Sequence, residues 1–315
     1  MASAATIVPM PLHPQAAEAI RRAGDLPAGL SPAALRIVYE TQRLTLLPQK
    51  PEVAAATDLF IPGEGGPIPA RFYRARQGGA PCPLLVYFHG GGFMLGTLDL
   101  YDTTCRRLAR GGECAVLSVD YRLAPETIFP GAVLDAYAAT RWAAVHAAQL
   151  AIDPARIAVG GDSAGGNLAA VVAQLAQDSG EFAVALQLLI YPMTDQSREY
   201  PSYARNESGY MLTRKALHWF MDNYLPDPRD RLDPRASPML RPSLEGLPPA
   251  LVISAEFDPL VDENQAYAER LVAAGVATQY VCFPGMIHPF FTLGGVIEDA
   301  ARAERLATDR MRMLV

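Results

Sequence analysis

The fold of this 315-residue chain is decided by the stretch Arg156-Ile157-Ala158-Val159-Gly160-Gly161-Asp162-Ser163-Ala164-Gly165-Gly166-Asn167. The mainly apolar run 156–160 is typical of a buried parallel strand. The run 167–175 is rich in Ala and Leu, which favour a helix. A serine flanked by glycines stands between the two runs, and strand, sharp turn and helix in this order are the context of a nucleophile elbow.

A second glycine-rich segment, His89-Gly90-Gly91-Gly92, follows the strand-like run 83–88. It lacks the Lys and the spacing of a phosphate-binding loop, which is the main alternative. Glycines let backbone N–H groups approach a negatively charged oxygen with no side chain in the way. The segment therefore predicts an oxyanion-binding loop. Together the two segments indicate a serine hydrolase of the α/β-hydrolase type.

The general base should follow the serine, because the triad of that fold has the chain order Ser, Asp or Glu, His. Of the five histidines, only His218 and His288 lie after Ser163. His218 lies in the helix-like run 212–221, where a structural role is more common. His288 lies in a loop just past the strand-like run 279–283, and loops at strand ends carry catalytic groups. We therefore predict that His288 is the base.

The acid should also lie at the end of a strand. Asp258 follows the buried-strand run 249–255 and precedes a proline, which favours a turn. Asp262 comes directly before the helix-like run 263–271 and is typical of a helix N-cap. We predict Asp258 as the acid and keep Asp262 and Glu256 in reserve.

These residues predict an acyl-transfer mechanism. Ser163 attacks an ester carbonyl while His288 accepts its proton, and Asp258 orients the imidazole. Backbone N–H groups of the glycine loop and of Ala164 bind the oxyanion, and water then hydrolyses the acyl-enzyme. Amides, lactones and carbamates are alternative substrates for the same groups. A non-catalytic ligand-binding protein on the same scaffold is expected to lack a triad residue, whereas Ser163, Asp258 and His288 are all present.

Composition excludes several other classes of protein. The formal net charge is −6 and no Lys/Arg-rich run occurs, which argues against nucleic acid or an anionic membrane as partner. Residues 1–10 have no basic residue, so we expect no secretory signal. No apolar stretch is long enough to span a membrane. We therefore expect a cytoplasmic protein. Because the cysteines lack metal-ligand spacing, we predict buried free thiols and no metal site.

Strand-like and helix-like runs alternate from residue 83 to 191 and again from 249, with helices predicted around 101–111 and at 132–149. This alternation predicts a mostly parallel sheet with helices on both faces. Residues 195–245 interrupt this alternation. We predict N-terminal cap helices in 1–50, core segments in 51–194 and 246–315, and a cap insertion in 195–245. Several large side chains of the insertion either line an ester pocket or attach the cap to the core: Tyr203, Tyr210, Met211, Trp219, Phe220 and Tyr224.

The chain resembles the bacterial hormone-sensitive lipase family of esterases through a series of motifs: His89-Gly90-Gly91-Gly92-Phe93, Asp120-Tyr121-Arg122-Leu123-Ala124-Pro125-Glu126, Gly161-Asp162-Ser163-Ala164-Gly165-Gly166-Asn167, Tyr191-Pro192, Asp258-Pro259-Leu260 and His288. The resemblance implies an α/β-hydrolase fold with an eight-stranded sheet and a helical cap. It also implies hydrolysis of short- to medium-chain acyl esters, no cofactor and often a homodimer.

Residue roles also follow from the resemblance. It assigns the triad to Ser163, Asp258 and His288, and it assigns the oxyanion donors to Gly91, Gly92 and Ala164. Pro289 departs from the family pattern, since many relatives have Gly after the histidine. We expect Asp162, the acidic residue before the serine, to support the elbow by hydrogen bonds.

Overall fold

The computed structural model describes residues 11–24, 29–78 and 80–314. Residues 1–10, for which we predict no secretory signal, lie outside this part of the chain. Within it, one sheet contains eight strands: β1 (Ala55–Ile61), β2 (Ile68–Arg74), β3 (Cys82–Phe88), β4 (Ala115–Val119), β5 (Ile152–Asp162), β6 (Leu186–Ile190), β7 (Ala250–Phe257) and β8 (Thr278–Ile287).

Helices connect and cover these strands. They are α1 (Pro14–Ala23), α2 (Pro32–Leu44), α3 (Leu98–Gly112), α4 (Gly131–Val145), α5 (Ala147–Leu150), α6 (Ala164–Ser179), α7 (Pro201–Arg205), α8 (Arg214–Tyr224), α9 (Val261–Ala273) and α10 (Glu298–Arg312). Three short 3₁₀ helices lie at Pro228–Leu232, Pro238–Leu240 and Phe290–Thr292.

The sheet has the order β1-β2-β4-β3-β5-β6-β7-β8. The hairpin β1–β2 and the pair β2–β4 are antiparallel, whereas the strands from β4 to β8 pair in parallel. Buried residues of α4, α6 and α9 pack against one face, and those of α3 and α10 pack against the other. The predicted mostly parallel sheet with helices on both faces is therefore confirmed. Because the parallel strands share one direction, the loops after β3, β5, β7 and β8 meet at one edge.

Several predicted boundaries change in the structure. The helix predicted at 132–149 is divided at His146, which is the C-cap of α4. The ring nitrogen of His146 lies 2.8 Å from the carbonyl oxygen of Trp142 in the last turn of α4. The helix predicted around 101–111 begins earlier, at Leu98, because the Thr97 hydroxyl accepts a hydrogen bond from a first-turn N–H and caps it. Asp262 is not an N-cap as predicted: Leu260 is the N-cap of α9, and Asp262 lies in its first turn.

Two further predictions can be compared with the structure. The four cysteines are free thiols, as predicted, but only Cys105 and Cys114 are buried, whereas Cys82 and Cys282 are half-buried. In the part of the chain that is described, no helix has the length and apolar character needed to cross a membrane.

Candidate active site

Ser163 lies in a strained turn between β5 and α6. Its backbone has φ 56° and ψ −117°, a conformation that costs energy for a residue with a side chain. The turn is held because the Ser163 N–H donates to the carbonyl of Ile190 at 2.8 Å. Glycine is required at Gly165, since a side-chain carbon there would overlap the Phe88 carbonyl. The sequence thus forms the predicted elbow because small residues permit the close approach of α6 to β3.

The structure brings Ser163, His288 and Asp258 into one hydrogen-bonded chain. His288 Nε2 lies 2.9 Å from Ser163 Oγ, and His288 Nδ1 lies 2.6 Å from Asp258 Oδ2. An ionised carboxylate can only accept, so Nδ1 carries the hydrogen and Nε2 is free to accept the serine proton. All three side chains are buried. This arrangement can activate a serine hydroxyl for attack on a carbonyl.

Asp258 is fixed in place, and the two reserve carboxylates are engaged elsewhere. The second oxygen of Asp258 accepts the backbone N–H two residues further on at 2.9 Å. Asp262 forms an ion pair with Arg205 at 2.6 Å, and Glu256 accepts a backbone N–H of β8 at 2.7 Å. Of the three candidate acids, only Asp258 contacts the imidazole of His288.

His218 takes no part in this chain of contacts. It lies on α8, where its Nε2 is 2.6 Å from a carboxylate oxygen of Glu199 at the protein surface. Pro289, which departs from the family pattern, directly follows His288 and leaves its contacts with the serine and the aspartate in place.

The predicted oxyanion loop and the elbow lie at the ends of neighbouring strands. Phe88 of β3 pairs with Gly161 of β5, so both chains turn at the same sheet edge. Among the hydrogen bonds of the described residues, none uses the N–H of Gly91 or Gly92. Ala164 is the first residue of α6, where an N–H has no partner within the helix. These donors are therefore available to a ligand oxygen.

Asp162 links the elbow to the oxyanion loop. One of its carboxylate oxygens accepts hydrogen bonds from the Gly90 N–H at 3.0 Å and from the Tyr87 hydroxyl at 2.8 Å. The other accepts from the Tyr101 hydroxyl at 3.0 Å. Burial raises the pKa of Asp162, and these donors oppose that rise. The structure gives Asp162 the hydrogen-bonded position beside the serine that the sequence predicts.

His89, the first residue of the glycine-rich segment, is a buried neutral ring. It stacks on Tyr121 with ring centroids 4.4 Å apart, and its Nδ1 lies 2.8 Å from the Gly90 carbonyl oxygen. Burial lowers the pKa of His89. Its Nε2 lies 3.9 Å from Asp120, and burial raises the pKa of Asp120 to about 6. The His89 ring therefore supports the start of the glycine-rich loop.

The segment 195–245 packs directly on the oxyanion loop. Tyr224 of α8 stacks on Phe93 with ring centroids 3.9 Å apart, and the Phe220 ring lies where a side chain at Gly92 would be. Tyr203 is buried and donates to Glu263 of α9. Tyr203 and Tyr224 thus attach this segment to the rest of the chain, while Phe220 faces the loop.

Sequence reasoning gave no role to Tyr191 or Tyr101. The Tyr191 ring packs on His288 with centroids 4.6 Å apart, and its backbone has a positive φ of 34°. The available signal was the position of Tyr191 at the end of a strand-like run, before a proline. Tyr101 gave no such signal, because its partner Asp162 lies 61 residues away in the chain.

A family model described as the alpha/beta hydrolase fold matches residues 85–292, which contain the elbow, the glycine loop and the serine, aspartate and histidine in contact. The chain belongs to the alpha/beta hydrolase family. The resemblance to esterases of the hormone-sensitive lipase type is thereby confirmed.

Relatives within this alpha/beta hydrolase family carry esterase names. The chain is 50% identical over 248 residues to the carboxylic ester hydrolase LipN of Mycobacterium tuberculosis, covering 76% of this chain and 66% of LipN. It is 45% identical over 240 residues to ethyl acetate hydrolase of Pseudomonas putida, covering 75% of this chain and 76% of that protein. The predicted enzyme class, carboxylic ester hydrolase, is confirmed.

A solved alpha/beta hydrolase structure agrees with the whole fold. The hyperthermophilic esterase of the archaeon Pyrobaculum calidifontis superposes with a TM-score of 0.91 at 40% sequence identity. The match covers 97% of this chain and 99% of that one. At this coverage, the similarity extends beyond the sheet to most of the segment 195–245.

Proposed function

We propose that this enzyme hydrolyses short- to medium-chain acyl esters through an acyl-enzyme intermediate formed on Ser163. The observation that carries the proposal is the chain of contacts from Ser163 Oγ to His288 Nε2 at 2.9 Å and from His288 Nδ1 to Asp258 Oδ2 at 2.6 Å. These are the distances at which a base can take the serine proton and a carboxylate can orient that base.

Acylation begins when Ser163 Oγ attacks the ester carbonyl carbon as its proton passes to His288 Nε2. The imidazolium that forms is stabilised by Asp258, which stays ionised. The tetrahedral intermediate then expels the alcohol, which takes the proton from His288. In the second half-reaction, His288 takes a proton from water, the hydroxide attacks the acyl carbon, and the acid leaves as Ser163 recovers its proton.

The negative oxygen of each tetrahedral intermediate is bound by the N–H groups of Gly91, Gly92 and Ala164. Fixed donors in a buried site need no reorganisation when this charge develops, and one such donor typically contributes about 10²- to 10³-fold to kcat. Asp162 supports this role, because its hydrogen bond from the Gly90 N–H holds the start of the loop beside the elbow.

We also propose that residues 1–50 and 195–245 form a cap over a core made of residues 51–194 and 246–315. The contacts of Phe220 and Tyr224 with the oxyanion loop support this division. So does Arg36 of α2, whose guanidinium donates to the carbonyl of Met94 at 2.8 Å. A cap in this position closes the space in which the acyl chain binds. We expect no cofactor and a homodimer from the family resemblance, and a cytoplasmic location from the sequence pattern.

The test is hydrolysis of 4-nitrophenyl esters from acetate to palmitate, measured for the wild type and for Ser163→Ala. We expect the highest kcat/KM on the short and medium chains, and loss of turnover on every ester in the variant. Ser118→Ala is the matched control, since it removes a buried hydroxyl of β4 that lies outside the proposed triad, the elbow and the oxyanion loop. Turnover by Ser163→Ala close to that of the control would overturn the assignment.

A further inference from the structure

A buried guanidinium on α2 has no acidic partner among the described residues. Arg43 of α2 is 8% exposed. Its Nη2 donates to the hydroxyl of Tyr39 at 3.3 Å, and its Nη1 lies 3.9 Å from the thioether sulfur of Met211. Among the described residues, no carboxylate oxygen lies within 4.0 Å of it. A buried arginine is normally paired with an anion, because removing its charge from water is costly.

A second unsatisfied group lies in the same region. Tyr191 is fully buried, and its hydroxyl has no hydrogen-bond partner in the part of the chain that is described. Arg43 and Tyr101 line the same small cavity, and the Tyr101 hydroxyl donates to Asp162, the residue before Ser163. The Tyr191 ring also packs on His288 at 4.6 Å. The Tyr191 hydroxyl, which has no partner among the described residues, and the Arg43 guanidinium, which has no anionic one there, therefore lie near the proposed reaction centre.

A small cavity and a flexible side chain both adjoin the Arg43 guanidinium. A cavity of about 10 Å³ adjoins the guanidinium, lined by Tyr39, Arg43, Leu47, Leu100, Tyr101 and Thr292. Met211, from the segment 195–245, lies against the guanidinium. A thioether is a weak acceptor on an unbranched, adaptable side chain. It fills the place of an anion without satisfying the charge, and a stronger acceptor would displace it.

We propose that Arg43 binds the carboxylate of ester substrates that carry one, with the Tyr191 hydroxyl as a second donor. The inference rests on the proposed function and names the substrate class of the same site. The substrate carboxylate takes the place of the Met211 thioether beside the guanidinium. Because the chain has a formal net charge of −6, its overall field repels anions. A preference for anionic esters must therefore come from a local cation.

The experiment compares anionic esters with neutral esters of the same shape. In one arm the carboxylate is on the acyl part: the mono-4-nitrophenyl ester of glutaric acid against 4-nitrophenyl 5-methylhexanoate. In the other it is on the alcohol part: the butyrate ester of 4-hydroxybutanoic acid against 4-methylpentyl butyrate. Each rate is corrected for spontaneous hydrolysis, and the readout is the anionic-to-neutral ratio of kcat/KM.

Three variants test the source of the preference. Arg43→Met removes the charge, Arg43→Lys retains it, and Arg22→Met is the control. Arg22 lies on the surface of α1, paired with Glu18, so its loss changes the net charge equally. We expect a wild-type ratio of at least about ten in one arm, one fully desolvated charged contact being enough for a tenfold effect. Arg43→Met should bring this ratio close to one by raising the KM of the anionic ester. Arg43→Lys should retain part of the preference, and Arg22→Met should leave it unchanged.

A wild-type ratio near one in both arms would overturn the proposal, as would an unchanged ratio in Arg43→Met. If Arg43→Met does not fold, the proposal is tested by the kcat/KM ratio of Arg43→Lys and by inhibition of the wild type. Free glutarate should inhibit neutral-ester hydrolysis competitively, and less so in Arg43→Lys; absence of inhibition would also overturn it. The neutral esters test the proposed function separately. The wild type should hydrolyse them and Ser163→Ala should not, whatever the result with the anionic esters.

Discussion

The replacement Asp162→Asn tests whether the oxyanion loop is held by the residue before the nucleophile. The carboxylate of Asp162 accepts from the Gly90 N–H at 3.0 Å and from the hydroxyls of Tyr87 and Tyr101 at 2.8 and 3.0 Å. Asparagine has nearly the same shape but presents one neutral acceptor oxygen and one donor group. The Gly90 and Tyr87 bonds can persist in weaker form, and the bond from Tyr101 must reverse or break.

The expected loss of stability follows from these three bonds. Hydrogen bonds to a charged acceptor contribute about 1.5–3 kcal/mol each, and those to a neutral one about 0.5–1.5 kcal/mol. The three bonds together therefore lose about 3 kcal/mol. Burial raises the pKa of Asp162, so the ionised side chain is itself poorly solvated, and removing its charge offsets part of this loss. We expect the free energy of unfolding to fall by about 1–3 kcal/mol.

The catalytic effect should be larger than the loss of stability alone would cause. Complete removal of an oxyanion donor typically lowers kcat by about 10²- to 10³-fold. Here the donors remain but their loop is held less firmly, so we expect kcat to fall by about 10- to 100-fold. The assays are urea unfolding, followed by kcat on a short-chain ester under conditions where the variant is fully folded.

Asp102→Asn provides a matched control. Asp102 is also buried, accepts hydrogen bonds from Tyr73 and Arg106, and lies on α3, outside the elbow and the oxyanion loop. This variant should lose stability and keep kcat within about twofold. A folded Asp162→Asn enzyme with wild-type kcat would refute the positioning role, and so would an equal fall of kcat in the control.

Four more variants probe the same framework. Asp258→Asn should lower kcat by about 10⁴-fold because it favours the wrong imidazole tautomer, whereas Asp262→Asn should stay within about twofold; reversed kinetics would move the acid to Asp262. Gly91→Ala should lower kcat on the same ester by at least about 10²-fold, since Gly91 has φ 116° and its new side chain would overlap the Leu95 carbonyl; an unchanged kcat would show that the loop conformation is unimportant. Burial raises the pKa of Asp120 to about 6, above its unfolded value of about 4, so stability should fall as pH rises through this interval. Urea unfolding at several pH values in that interval should show a smaller fall in the free energy of unfolding for Asp120→Asn than for the wild type. The same pH dependence in the wild type and the variant would contradict this assignment.

The sequence was most informative where function depends on chain order and strand ends. Ser163 is recognisable because its glycine neighbours interrupt a strand–helix junction. His288 follows from the triad order, which leaves few histidines to choose from, and Asp258 follows from its position at a strand exit. The structure adds the contacts that join these three residues. Their catalytic roles stay a prediction until the variants are measured.

The rest depends on tertiary packing that local patterns do not encode. The division of α4 from α5 depends on the conformation at His146, within a run whose composition favours continuous helix. The N-terminal extension of β5 depends on pairing between Ile152 and Cys82, which are distant in the chain. The burial of Arg43 beside Met211 involves residues 168 positions apart. A single sequence gives no signal for such pairs.

The central claim is that Ser163 becomes acylated, and intact-mass spectrometry after reaction with a 4-nitrophenyl alkylphosphonate tests it most directly. Such a reagent leaves a stable phosphonyl group on an activated serine. The account predicts one adduct per chain, located by peptide mapping at Ser163, formed also in Ser118→Ala and absent from Ser163→Ala. An adduct on another residue, or unchanged labelling of Ser163→Ala, would contradict it.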